Sequence, residues 1–479
     1  MRHAKRYLVA TIVATLVLLA AGADAKQAAY THGFMPNPTS WPLAEPGMAI
    51  DGGGTVWVGS IRSGMPPSPT DPTNTALPST GFWRSTDGGH SFDFRRDPFQ
   101  FSPGDQPGVQ VGGSDADVAS AQVPNADGHY NLYVATLGPP GGNNIAFSQD
   151  GGETWIVQPM GGILAGPPDR PWVAADGECT VYLAYHSGIP WWVNRYDLCA
   201  PTDNGLQPIT GVQVDGGEID QVDALVGKLT VDTSPTSPHQ HNVYVPMEVC
   251  VEPLFPPSLG ETAGPCGGAP RIAVSVSSDG GRSFTRHDIA PVPNRARPIW
   301  PTTVATDADG TVYVAWFDNH DAFLATSRDG GVTWTQPQQV NPLGTTAVYP
   351  TVAATRSGEV AVAWYGTTRD GDANDAAVMG AANNPASAEW RVWLAESRDG
   401  AAKLREGRAV TDPVHFGQLC TRGGGCGNAN VTRTLLDDFA AQYTQDGRLI
   451  VAYTTDQPGG TRATSHIAHL TETARPGRR

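Results

Sequence analysis

Along most of the chain, apolar residues alternate with polar ones or run unbroken for a few positions, and no long stretch carries helical spacing. Short runs with a period of two, interrupted by Gly, Asp and Pro, predict β-strands joined by tight turns. One strand–turn–strand unit recurs, most clearly as Val304-Ala305, an Asp309-Gly310 turn, and Val312-Tyr313-Val314-Ala315-Trp316. Similar units begin near Trp172, Thr351 and Phe439, and weaker ones near Gly47, Asp117 and Asp223, giving seven units. An octet of the form S-x-D-G-G-x-[ST]-[FW] follows most of them, at Ser85–Phe92, Ser148–Trp155, Ser277–Phe284 and Ser327–Trp334, with a decayed copy from Ser397 to Gly400. Asp-Gly-Gly makes a tight turn that needs positive φ, the Asp side chain can bond N–H groups within it, and the closing aromatic enters the core.

Self-similarity at a fixed period predicts a repeat architecture. Each unit supplies two strands, a variable loop, a third strand ending in the octet turn and a fourth strand beyond it, which is one blade of a β-propeller. The octet aspartates Asp87, Asp150, Asp279, Asp329 and Asp399 recur in steps of about 50–70 residues, with one double step where the unit near Trp172 has lost its octet. The predicted fold is all-β, a seven-bladed propeller with blades of four antiparallel strands, about 65 residues each; six blades would need about 76. The last unit stops after three strands, ending at His466–Leu470, and Gln27–Gly33 is the expected fourth. Closing the ring in this way removes an open sheet edge.

Composition narrows the function classes. Among 479 residues, 56 Gly and 41 Pro accompany only 16% charged residues, which suits a turn-rich β protein. The net charge of −16 repels phosphate backbones and anionic membrane surfaces, so nucleic acid is not an expected partner. Basic residues in 1–7, an apolar run from Leu8 to Ala21 and Ala23-Asp24-Ala25 form the tripartite pattern of a secretory signal, and the run is too short to span a membrane. Residues 26–479 are then a single propeller domain with a short tail from about 472, released to the medium, or to the periplasm if the host has an outer membrane, and monomeric. The six cysteines fit export and fall as local pairs, predicting Cys179–Cys199, Cys250–Cys266 and Cys420–Cys426.

The octets resemble the Asp boxes, or BNR repeats, of sialidase-like β-propellers, a resemblance covering about residues 45–470. It implies that the octet aspartates are structural and lie on the face away from the active site. It also implies an exo-acting glycoside hydrolase in which three Arg clamp a substrate carboxylate, a Tyr assisted by a Glu attacks, and an Asp serves as acid/base; bidentate Arg–carboxylate pairing explains the clamp. The family's first Arg sits in a Phe/Tyr-Arg-Ile-Pro motif, and the nearest equivalent here is Gly33-Phe34-Met35-Pro36, with Met in place of Arg. The alternative is therefore a non-catalytic propeller that binds glycans or proteins.

Residues entering each innermost strand should line the channel mouth. In the repeat alignment they form two rings: Gly47, Asp117, Trp172, Asp223, Thr303, Thr351 and Asp438 nearest the strand, and Glu45, Asp115, Arg170, Gln221, Pro301, Tyr349 and Leu436 two positions earlier. The catalytic candidates are Arg170, Tyr349, Asp115, Asp117, Asp223 and Asp438. Carboxylates gathered around one axis suit either a glycosidase acid/base pair or a hard cation such as Ca²⁺; no cofactor is demanded by any motif. Candidate substrate contacts are Arg297, Trp172, Trp191, Trp192, His186 and Asp318, with Trp191-Trp192 as a sugar-stacking platform beside His186. A glycan or glycoprotein is the expected partner. Asp307-Ala308-Asp309-Gly310 has the start of a calcium loop but occurs where other blades have a hairpin turn.

Overall fold

A computed structural model describes residues 29–38, 41–62, 80–99, 115–138, 142–160, 168–187, 191–197, 199, 210–213, 222–251, 270–292, 302–422, 426–437 and 439–473. The strands form seven antiparallel sheets ordered as consecutive blades, I to VII. Blade I holds Leu43–Ile50, Val56–Arg62, Gly81–Ser85 and Asp93–Phe94; blade III holds Pro168–Asp176, Thr180–Ser187, Trp191–Asp197 and Thr210–Gln213. In blade V the four strands are Thr302–Thr306, Val312–Phe317, Ala322–Ser327 and Gln338–Gln339, and blade VI begins with Thr346–Ala354 and Val360–Thr367. Blade VII takes three strands from the end of the chain and its outermost, Tyr30–Phe34, from the beginning, in register Tyr30↔Glu472 to Phe34↔Ala468. The closing strand thus starts and ends slightly later than the sequence pattern predicts, and its partner runs on to Glu472, within the expected tail.

The two repeat signals interlock between neighbouring blades. In the octet turns, Gly152, Gly281 and Gly331 all have positive φ, between 76° and 91°. A Cβ added there would lie 3.0 Å from the Trp57 ring, 2.8 Å from Tyr182 and 3.4 Å from Tyr244, respectively. Those aromatics stand in the second strand of the preceding blade, at the Tyr position of the Val-Tyr-Val run. Glycine is required twice over, for the turn's handedness and for the close approach of the preceding blade's aromatic. The second strands are enclosed: every residue of Val312–Phe317 and Leu449–Thr455 is buried, flanked by strands on both sides and by blades on both faces.

Each octet Asp organises its own turn. Asp329 Oδ1 accepts from Ser327 Oγ at 2.8 Å and from Thr333 N–H at 2.8 Å, Oδ2 accepts from Thr333 Oγ1 at 2.5 Å, and Ser327 Oγ accepts from Gly331 N–H at 2.9 Å. Asp87, Asp150 and Asp279 repeat this pattern, and Asp399 keeps part of it. Partial burial pushes the Asp87, Asp279 and Asp329 carboxyls up, but the Ser and Thr hydrogen bonds outweigh it and hold each at about 2. Two disulfides, Cys179–Cys199 and Cys420–Cys426, form as predicted. The signal segment, Cys266 of the third predicted pair, and Asp438 and Arg297 lie outside the described residues. Among those described, no helix is long and apolar enough to cross a membrane.

Candidate functional site

The innermost strands of blades I, III and VI each open with the same bulge. Pairing to the second strand slips between Ala44 and Gly47, between Asp169 and Trp172, and between Val348 and Thr351. The extra residue sits at positive φ in every case: 52° at Glu45, 55° at Arg170 and 52° at Tyr349, with Leu436 at 56° in the corresponding place before blade VII. Positive φ is costly for large side chains and persists only where surroundings over-determine it. These four residues are members of the outer mouth ring read from the repeats.

The bulges turn three side chains into one buried cluster. Arg170 lies with Nε 3.3 Å from Asp115 Oδ2, Nη1 3.6 Å from Glu45 Oε1, and Nη2 paired with Asp437 Oδ2. Arg433 reaches the same carboxylate, with Nη2 2.5 Å from Oδ2 and Nε 3.3 Å from Oδ1. Glu45 Oε1 accepts the backbone N–H of Asp437 at 3.0 Å, which ties blade I to blade VII. Burial pushes the Asp437 carboxyl up, but the Arg433 and Arg170 charges outweigh it and hold it below the usual carboxylate range.

Tyr349 stands in the field of the same groups. Its side chain is buried and its hydroxyl has no hydrogen-bond partner among the described residues. Burial, reinforced by the charges of Asp437 and Glu45, raises the phenol well above its ordinary value, against the pull of Arg433 and Arg170. At neutral pH it is a neutral phenol that can donate a hydrogen bond. Phe317 packs edge-on at 5.1 Å and fixes the ring.

Arg433 and Asp437 were not among the sequence candidates. Arg433 caps a four-residue helix, Ala429–Thr432, that hangs from the Cys420–Cys426 loop through a Cys420 N–H to Thr432 C=O bond of 2.7 Å. Asp437 lies between Leu436 and Asp438 of the two rings, so the repeat alignment already brings it to the mouth, whereas Arg433 comes from a loop that has no repeat counterpart. Glu45 was visible in the ring, though nothing in the sequence placed it near Tyr349.

Other predicted residues go elsewhere. Asp117 is buried beside the channel, accepting Val173 N–H at 3.0 Å and pairing with Lys228 at 3.4 Å, so it braces blade II against blades III and IV. Trp172 is a core residue, with its indole N–H on Val226 C=O at 3.3 Å and Lys228 over its ring at 5.1 Å. Trp191 is buried and Trp192 half-buried against the blade III core, so the pair does not present two ring faces as a platform. Asp318 is buried with Oδ1 accepting His320 and Asp321 N–H groups, which shapes its loop. Asp223 and His186 are placed only by backbone, opposite Cys250 and Trp191. Met35, at the expected Arg position, is packed in the apolar core between blades I and VII.

The calcium-like run also resolves into a hairpin. Asp307 Oδ1 accepts Asp309 and Thr311 N–H groups, both at 3.0 Å, and Oδ2 accepts the Tyr313 hydroxyl at 2.9 Å and Gly358 N–H at 2.8 Å. Both oxygens are engaged by protein donors, and the residues do not fit a cation. Below the mouth, the channel between the inner strands encloses about 470 Å³ and is lined by small and polar residues including Thr303, Thr351 and Gln442.

No protein-family model matches the sequence, and no curated protein is significantly similar to it. Among solved structures, the chain is similar to an α-L-arabinanase from Penicillium chrysogenum complexed with arabinobiose, at 13% identity over 70% of this chain and 93% of that one, with a TM-score of 0.45. A polysaccharide lyase acting as an ulvan lyase matches at 11% identity over 91% and 94% of the two chains, with a TM-score of 0.46. The intramolecular trans-sialidase from Ruminococcus gnavus matches at 10% identity over 90% and 94%, with a TM-score of 0.40.

Proposed function

We propose that the chain is an exported Asp-box propeller that engages a glycan at the mouth of its channel, and that the sugar it takes there is uncharged. The observation carrying this reading is the grip of Arg170 and Arg433 on Asp437. In the sialidase scheme such arginines await a carboxylate brought by the substrate; here the protein supplies its own. Counting Glu45, Asp115 and Asp437 against the two guanidiniums leaves the cluster with one negative charge, which repels an anionic sugar.

For a neutral glycoside the pertinent chemistry is a pair of carboxyl groups. Asp115 and Glu45 are held on a single guanidinium, on Nε and Nη1 of Arg170, and Asp115 is the more exposed of the two. In an exo-acting hydrolase they would share the acid and base roles, with the Tyr349 hydroxyl donating to a sugar oxygen. The second reading, recognition without turnover, is favoured by the burial of Arg170, Tyr349 and Asp437, which makes the cluster a rigid floor.

The test is a panel of uncharged aryl glycosides and a fluorogenic sialoside, run beside a glycan array on wild type, Asp115→Asn and Tyr349→Phe. Turnover of a neutral glycoside lost in Asp115→Asn is the expected result. Array binding without turnover selects the recognition reading. Sialoside cleavage abolished by Arg170→Ala would sink the uncharged-sugar claim, and neither turnover nor binding on any glycan would remove the glycan assignment. Replacing a buried phenol that lacks a partner relieves a desolvation cost of about 1 kcal/mol or more, so Tyr349→Phe should unfold at the same or higher denaturant concentration than wild type.

A further inference from the structure

We infer a second carbohydrate site on the flank of the propeller, in the groove between the outermost strands of blades VI and VII. The closing strand Tyr30–Phe34 forms one wall, and Arg408–Ala409, the outer strand of blade VI, forms the other. The groove encloses about 890 Å³, within the roughly 300–1,000 Å³ typical of small-ligand pockets.

Its lining has the chemistry that holds a sugar chain. Tyr30, His32 and Phe34 all line the groove, and strand geometry places alternate residues on one face, spanning about 13 Å. Phe34 is 62% exposed and is the one aromatic among the exposed large hydrophobic residues described. His466 meets it edge-on at 5.9 Å, leaving a ring face to be covered. At the other end the Arg408 guanidinium lies over the Tyr30 ring at 5.6 Å. Flat rings suit the apolar C–H faces of a pyranose, and the planar polar groups of Arg408, Asp412 and Gln457 suit paired hydroxyls.

Charge selects the class of sugar. Arg408 and Asp412 cancel, and burial lowers His32 despite the nearby Asp412 carboxylate, so the ring is neutral at neutral pH. The groove therefore has no field to steer an acidic or basic ligand, and its length favours a short linear run of neutral sugars. Among the described residues, the closing strand is also the outermost strand of its sheet. None of these residues belongs to the mouth cluster, and the site stands whether or not the mouth assignment holds.

The experiment is calorimetric titration of the mature chain with cellohexaose, xylohexaose and maltohexaose, each separately. Binding of at least one is expected, weakened tenfold or more by Phe34→Ala and by Arg408→Ala, and retained in Val332→Ala, a control at an exposed side chain away from both sites. Phe34→Ala should keep the wild-type unfolding midpoint, since its ring is largely in solvent. Unchanged isotherms in both flank variants, an equal loss in Val332→Ala, or no binding of any of the three oligosaccharides would each overturn the proposal.

Discussion

At the scale of single residues, the mouth cluster is a charge-balance problem. Arg170 and Arg433 are both buried and both grip Asp437, the carboxylate that joins them. Removing one partner of a buried pair leaves the other uncompensated, which commonly costs about 3–5 kcal/mol. Asp437→Asn should therefore destabilise the protein by about 3 kcal/mol in urea unfolding, far more than Asp115→Asn, whose side chain is partly solvated. Equal losses from the two variants would show that Asp437 does not bear this burden. The positive φ at Glu45, Arg170 and Tyr349 belongs to the same account, because the ion pairs and packing hold the backbone where glycine would ordinarily sit. The alignment of blades put these residues in one ring, yet their identity as a contact set needed the side-chain directions that the bulges impose.

At the scale of elements, the octet turn has two separable parts. The Asp supplies hydrogen bonds to an exposed turn, worth about 1 kcal/mol in total when solvent competes. The second Gly sets the turn's handedness and admits the neighbouring blade. At Gly331, φ is 91° and an added Cβ would come within 2.9 Å of Val276. Gly331→Ala should cost about 2–3 kcal/mol, from backbone strain and overpacking together, and so exceed Asp329→Ala at neutral pH. Denaturant midpoints of the two variants measure the order directly, and the reverse order would refute the interlock. Because the folded carboxyls sit at about 2, the Asp contribution is present above the ordinary carboxylate value near 3.8 and is lost as pH falls toward 2. The octet was legible from sequence because its chemistry is local. The blade III turn was not, since it has no octet and must be located by its strands.

At the scale of the whole molecule, the ring is closed by a strand from the other end of the chain, and histidines line that seam. His469, opposite Gly33, is buried against Phe92 at 4.8 Å. Burial lowers it to about 4, with His32 and His90 pushing the same way and Asp87 opposing. A lowered folded value means that the unfolded chain takes up the proton first. Stability is complete above about pH 6.5 and declines as pH falls toward 4, by an amount on the order of 3 kcal/mol. Urea unfolding at pH 7 and pH 4.5 should show that decline in wild type and a smaller one in His469→Leu. Identical pH slopes in the two proteins would exclude the seam as its source.

What the sequence determined by itself was everything that repeats. Period-two strands, Asp-Gly-Gly turns and the spacing between them dictate seven four-stranded blades and a borrowed strand, because each signal acts over a few residues and recurs along the chain. What only the tertiary structure decided was which unique residues meet. Glu45 and Asp437 are 392 residues apart and share a hydrogen bond only because the ring closes. Arg433 enters the mouth from a disulfide-tethered loop without a repeat counterpart, and Trp172 and Trp191 turn inward to the core. Repeats encode the scaffold locally, whereas the mouth cluster depends on how one departure from the repeat packs against another across the closed ring.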